Sequence, residues 1–119
     1  MNKRDEARKR FERITRDAAR VIEDIADGRD NAKPIEVILA TLQKRHDWVL
    51  SRGYFQQRVK PALWEAGYPV GTSNRGLFIC KTAEELYDAE FWYQHRIAAL
   101  KTNKTKLQCA FYSYYDDAN

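Results

Sequence analysis

The chain has 119 residues, a hydrophobic share of 44% and a formal charge of +4, which favours one compact body with helical extensions and excludes a long unstructured polymer. No apolar run approaches the roughly 20 residues that span a bilayer. The opening MNKRDEARKRFER lacks the apolar stretch of a secretory signal, so a cytoplasmic location is expected and a membrane partner is not.

Positive charge is concentrated before the last third of the chain. Residues 1–20 hold eight basic and four acidic side chains, residues 34–80 six and three, and residues from Lys81 onward five and six. Such a gradient suits an anionic partner, although a solvated helix surface carries similar excesses.

Asp5 to Ala26 reads as a helix, with Phe11, Ile14, Ala18, Val21 and Ile25 alternating at spacings of three and four. Gly28 stops it and Arg29-Asp30-Asn31 follows as a turn. The apolar stripe needs a surface to dock on: the chain's own body, its C-terminal helix or a second copy. Pro34 suits the start of a second helix, with Ile35, Ile38, Leu39 and Leu42 on one face and an end near Arg45. His46 to Leu50 is a short connection. Ser51 is the expected N-cap of a third helix running to Ala66, with Phe55, Val59, Ala62, Leu63 and Ala66 inward and Gly67 closing it. Pro61 falls inside that helix, where its missing N–H should kink it or mark a restart.

Tyr68 to Gly71 and Leu77 to Cys80 then read as strands joined by a turn over Thr72 to Gly76. Thr82 with Glu85 is a capping box that opens a long final helix. Leu86, Tyr93, Ile97, Leu100, Leu107, Phe111 and Tyr114 fall on one heptad-like seam, interrupted by Glu90 and Lys104. The expected division is a basic amphipathic helix over 1–33, a central module over 34–81 and a packing or dimerisation helix over 82–119.

No Gly-rich phosphate loop, Ser/His/Asp set or metal-ligand spacing occurs, so no catalytic residue, metal or cofactor is assigned. His46 and His95 stand apart from each other and from any cysteine. Cys80 and Cys109 lack CxxC spacing and read as two reduced thiols.

The run RVKPALWEAGYPVGTSNRGLFI from Arg58 to Ile79, followed by TAEEL from Thr82 to Leu86, resembles small winged-helix proteins common in phages and prophages. The likeness covers Ile35 to Leu86. It implies a mainly α fold with a small β-hairpin: a winged helix-turn-helix flanked by long N- and C-terminal helices. It also implies a non-enzymatic protein that binds double-stranded DNA in transcriptional control, replication or packaging. Carried over position by position, Arg52, Gln56, Gln57, Arg58 and Lys60 would lie on the recognition helix and Arg75 at the tip of the wing. Glutamine can bond to adenine and arginine to guanine, while the remaining cations neutralise phosphates.

This chain departs from that pattern in two places. The helix before the recognition helix is cut to a few residues, Trp48 to Leu50, and Trp64 faces outward, which is commoner at protein interfaces. The rival expectation is therefore an inhibitor of a host enzyme or defence complex, such as an anti-CRISPR protein, built on the same scaffold. Its interface residues would be Tyr54 and Trp64, with Phe11, Ile14, Val21, Ile97 and Leu100 from the two stripes. Those stripes also lead to an expected homodimer through the terminal helices.

Overall fold

A computed structural model describes residues 2–116. Helix α1 (Lys3–Ile25) is opened by Asn2, whose side-chain oxygen accepts from the Asp5 N–H at 2.9 Å, and Asp5 and Glu6 favour its positive end. Its buried face holds Ile14, Ala18, Ala19, Val21 and Ile22, all at 1% exposure or less. The stripe is wider than the narrow seam read from the sequence, and it docks on the chain's own body. There α1 touches α2 (Ile35–His46), the third helical segment and the hairpin. Two adjacent alanines allow this close approach. Ile14 and Val21 are therefore spent inside the core and are not available to a partner, as the interface expectation required.

Between α1 and α2 the chain does more than turn. Gly28 takes φ +90° and one 3-10 turn covers Arg29–Asn31. On either side the backbone pairs with the hairpin: Ile79 N–H donates to Ala26 O at 2.8 Å, and Lys33 and Leu77 exchange bonds of 2.9 and 2.8 Å. The connection thus lies along the hairpin as a short third rung on each side of the turn.

Asp47, at φ 59°, ends α2. The third helical segment is continuous but not uniform: α3 (Arg52–Tyr54), a π turn (Phe55–Val59) and α4 (Lys60–Glu65). Ser51 Oγ accepts from Tyr54 N–H at 3.1 Å, as a cap should. The widened turn directly precedes Pro61, which has no N–H to give and whose ring would strike the carbonyl four residues back. This is the expected disruption, absorbed without breaking the helix. Gly67, at φ +93°, closes the segment through Tyr68 N–H to Leu63 O at 2.9 Å. Ala66, expected inward, is exposed because it already belongs to this closing turn.

The hairpin pairs β1 (Val70–Ser73) with β2 (Gly76–Ile79) through a two-residue turn, Asn74-Arg75. The strands thus begin and end closer to the turn than the sequence suggests, because Thr72 and Ser73 pair with Leu77 and Gly76 instead of turning. Phe55, Phe78, Ile14, Ile22, Ile38, Leu42 and Leu63 make a single core in which α1, α2, the third segment and the hairpin all share.

Helix α5 (Ala83–Asp116) lies against β1, and Ala89 is its buried residue. Thr82 caps it, accepting from Glu85 N–H at 3.2 Å. Glu85 does not complete the box on Thr82; its carboxylate accepts instead from the backbone N–H groups of Arg29 at 2.9 Å and Lys81 at 3.3 Å. Arg29 pairs in turn with Asp88 and, at 3.8 Å, with Glu84. The start of α5 is therefore tied to the α1–α2 connection, while residues 94–116 are exposed throughout. No helix of the described residues is long and apolar enough to cross a membrane.

Candidate nucleic-acid interface

The third helical segment presents its side chains in rows four apart, and the row 52–56–60 points toward the hairpin. Arg52 sits in the first turn after its cap, reaching back to Glu36 of α2 with Nη1 3.0 Å from Oε1, and both side chains are about two-thirds exposed at 68% and 65%. Gln56 follows, half-buried. Lys60 is third in the row, but it is only 9% exposed. Its ammonium lies 5.6 Å from the Trp64 ring centre and 5.9 Å from that of Tyr93 on α5. Lys60 is thus held between two aromatic faces, and the sequence expectation of a phosphate-contacting lysine does not describe its position.

Facing this row is the hairpin tip. Arg75 is exposed, with its backbone N–H donating to Ser73 Oγ at 3.2 Å, which fixes the turn while leaving the guanidinium outward. Gly76 beside it takes φ +128°, and a Cβ there would lie 2.0 Å from Lys33 O. The tip is consequently clamped to the α1–α2 connection, and Arg75 projects from a rigid base.

Between row and tip lies an open groove of about 700 Å³, lined by Arg52, Gln56, Arg75, Trp92, Arg96 and Leu100 among others. Its third wall is α5. Arg96 was not among the sequence candidates. Its guanidinium lies 4.8 Å from the ring centre of Trp92, one turn earlier on the same helix. That i, i+4 spacing of an aromatic and a cation was legible, but the face of α5 that meets the hairpin was not. Three arginines and Lys60 thus line a groove whose one acidic wall residue is Glu36, an arrangement that attracts anions and offers a planar aromatic surface beside them.

Most of the remaining candidates lie elsewhere. Gln57 and Arg58 are exposed outside the groove, and Arg58 stacks toward Phe11 of α1 at 5.9 Å. Tyr54 is half-buried with its ring edge-on to Phe11, centres 6.5 Å apart. Trp64 is 43% exposed, but its indole N–H donates to Val70 O at 2.9 Å and its ring meets Tyr93. It clasps α4 to β1 and α5. Ile97 and Leu100, by contrast, line the groove on its α5 wall and are exposed at 52% and 66%.

Neither histidine stands in the groove. His46 Nδ1 lies 3.6 Å from Asp17, whose carboxylate also accepts the Trp48 indole N–H at 2.8 Å. This pair fastens the 47–51 connection to α1. Among the described residues no three His, Cys, Asp or Glu side chains converge in a way that could hold a metal ion. Burial, and secondarily the charge of Glu85, push the Cys80 thiol above its ordinary value, whereas Cys109 is exposed on α5. No family model, curated protein or solved structure matches the chain.

Proposed function

We propose that the chain is a non-enzymatic, duplex-DNA-binding protein that works as a winged helix-turn-helix. The 52–65 segment enters the major groove and the Asn74-Arg75 turn serves as the wing. One observation carries this reading: Arg52, Gln56 and Arg75, far apart in sequence, line a single open groove, joined there by Arg96. The order of elements supports it as well, since a helix, a strand-like connection, two helices and a hairpin pack on one core. A helix with its side chains is about 10–12 Å wide, which matches the roughly 12 Å major groove. Gln56 supplies a donor and an acceptor on one planar amide, suited to an adenine edge, and the arginines hold phosphates and fix register. The resemblance of residues 35–86 to phage and prophage proteins points to a role in transcription, replication or packaging. The protein-inhibitor alternative is the less favoured reading, since Tyr54 and Trp64, though partly exposed, also make contacts within the chain.

The test is fluorescence anisotropy of a labelled random-sequence duplex at 50 and 200 mM salt. Three to four phosphate contacts predict a loss of affinity of roughly 40- to 150-fold over that range. Arg52→Glu and Arg75→Glu should each weaken binding far more than Lys44→Glu, which makes the same charge change outside the groove. Equal losses at all three positions, or no binding at low salt, would overturn the proposal.

A further inference from the structure

The outward face of α1 carries a cationic stripe that the groove does not use. Arg13, Arg16 and Arg20 are all exposed, and at about 100° per residue they fall within a sector of about 60°. Ile14, Ala18 and Ile22 occupy the opposite side, and there α1 meets α2, the third helical segment and the hairpin. The stripe therefore looks away from the body, and away from the groove enclosed by the third segment, the hairpin and α5.

The acids of the same helix are committed elsewhere. Glu12 lies 4.0 Å from Arg8. Asp17 accepts the Trp48 indole N–H and faces His46, and Asp24 pairs with Arg45 of α2. Glu6 and Glu23 lie beyond the two ends of the arginine stripe. Among the described residues, the side chains of Arg13, Arg16 and Arg20 have no ion pair and no hydrogen bond. Like charges three and four residues apart work against a helix, so the stripe is the reverse of the interleaved pattern that a solvated face favours.

We infer that this stripe binds the backbone of a second DNA duplex, so that one chain joins two duplexes, one at the groove and one across α1. The inference rests on the DNA-binding reading for the first of them. From Arg13 to Arg20 the helix rises about 10 Å, and about 10 Å of duplex axis presents about three phosphates on each strand. Guanidinium groups grip phosphate oxygens through paired N–H donors. The contact is to backbone alone, and thus independent of sequence, because no Asn or Gln stands beside the three arginines to read a base. An anionic membrane is a poorer match, since the apolar face that would anchor α1 in it is buried in the core.

The experiment captures the full chain on a bead-bound duplex at 50 mM salt, then offers a fluorescent duplex of unrelated sequence and measures its recruitment per captured chain. The parent chain should recruit it, with an affinity that falls roughly 40-fold by 200 mM salt, since three phosphate contacts give a log–log slope of about −2.7. Arg13→Gln, Arg16→Gln and Arg20→Gln combined should lower recruitment at least tenfold while leaving capture by the first duplex intact, which also shows that the variant is folded. The corresponding triple exchange to lysine keeps the charge and should retain most of the recruitment. Capture of the parent without recruitment, or equal recruitment by the parent and the glutamine variant, would overturn the inference and leave the groove reading standing. The second of these is the result expected if two copies bridge duplexes through their grooves alone. Loss of capture as well, in a glutamine variant with the parent's circular dichroism spectrum, would mean that one duplex covers both surfaces and would overturn the two-duplex arrangement. Failure of the parent to be captured at all would overturn both readings.

Discussion

Gly76 links the stability of the fold directly to the groove, and Gly76→Ala is the most informative single substitution. The residue has φ +128°, and a Cβ placed on it would lie 2.0, 2.3 and 2.6 Å from Lys33 O, Lys33 C and Pro34 N. All three are backbone atoms, so no side chain can swing aside. The hairpin must therefore lift from the α1–α2 connection, losing the two bonds exchanged by Lys33 and Leu77. Backbone strain of about 1–2 kcal/mol and two net hydrogen bonds at about 1 kcal/mol each give an expected loss of about 3–4 kcal/mol. That is a large part of the total of roughly 5–15 kcal/mol that holds a small domain together. Urea unfolding followed by circular dichroism measures it. Gly53→Ala is the matched control: it lies in the first turn of the third segment, and an added Cβ meets nothing within 4 Å. There the methyl should stabilise by a few tenths to about 1 kcal/mol. A loss below about 1 kcal/mol at Gly76, or equal effects at the two glycines, would refute the clamp between tip and connection.

Two further expectations follow from the packing around the groove. Trp64→Phe keeps most of the ring but removes the indole N–H that Val70 O accepts, and should cost about 1–2 kcal/mol in urea unfolding while leaving the chain folded. Full retention of stability would mean that Trp64 does not clasp α4 to the hairpin. Cys80 has a thiol whose pKa is raised from 9.0 by burial and then by Glu85, so the folded state favours the protonated form. Its contribution is complete below pH 9 and declines as pH rises from 9 toward the folded value, because the unfolded chain loses its proton first. The pH dependence of unfolding above pH 9 should flatten in Cys80→Ser, and iodoacetamide at pH 8 should modify the exposed Cys109 well before Cys80. A parallel slope in the variant, or equal alkylation rates, would contradict this.

The elements themselves were legible because local chemistry dictates them: Ser51 caps, Gly67 closes, Pro61 forces a wide turn, and Thr82 opens α5. What escaped was contact between elements. The α1 stripe was visible, but its partner was not. Ala19 and Ile22, which widen it and settle it on the body, fall outside a strict three-and-four alternation. The row Arg52, Gln56 and Lys60 was identified by spacing, yet nothing local reveals that Trp64 and Tyr93 close over the third member. Arg96 entered the groove unannounced for the same reason, since its position depends on which face of α5 meets β1. The pairing of Lys33 with Leu77 is a contact across more than forty residues of chain, and the turn-forming residues Arg29 to Asn31 masked the strand-like backbone on either side.

The second half of α5 raises an energetic question of its own. Residues 98–116 are exposed without exception, and they include Thr102, Asn103, Thr105, Ser113 and four aromatic residues, all middling or poor helix formers. Even alanine-rich helices shorter than about 12–15 residues are marginal in water, and most helices in proteins owe their stability to an apolar face that is covered. A lone copy has no cover to offer this stretch. Pairing of two copies would supply it, which makes helicity and association one equilibrium. The 222 nm signal of the full chain should then weaken by roughly a fifth on dilution below the dissociation constant, the share that this stretch contributes to the helix total. A helical signal that is independent of concentration would mean that the helix sustains itself alone.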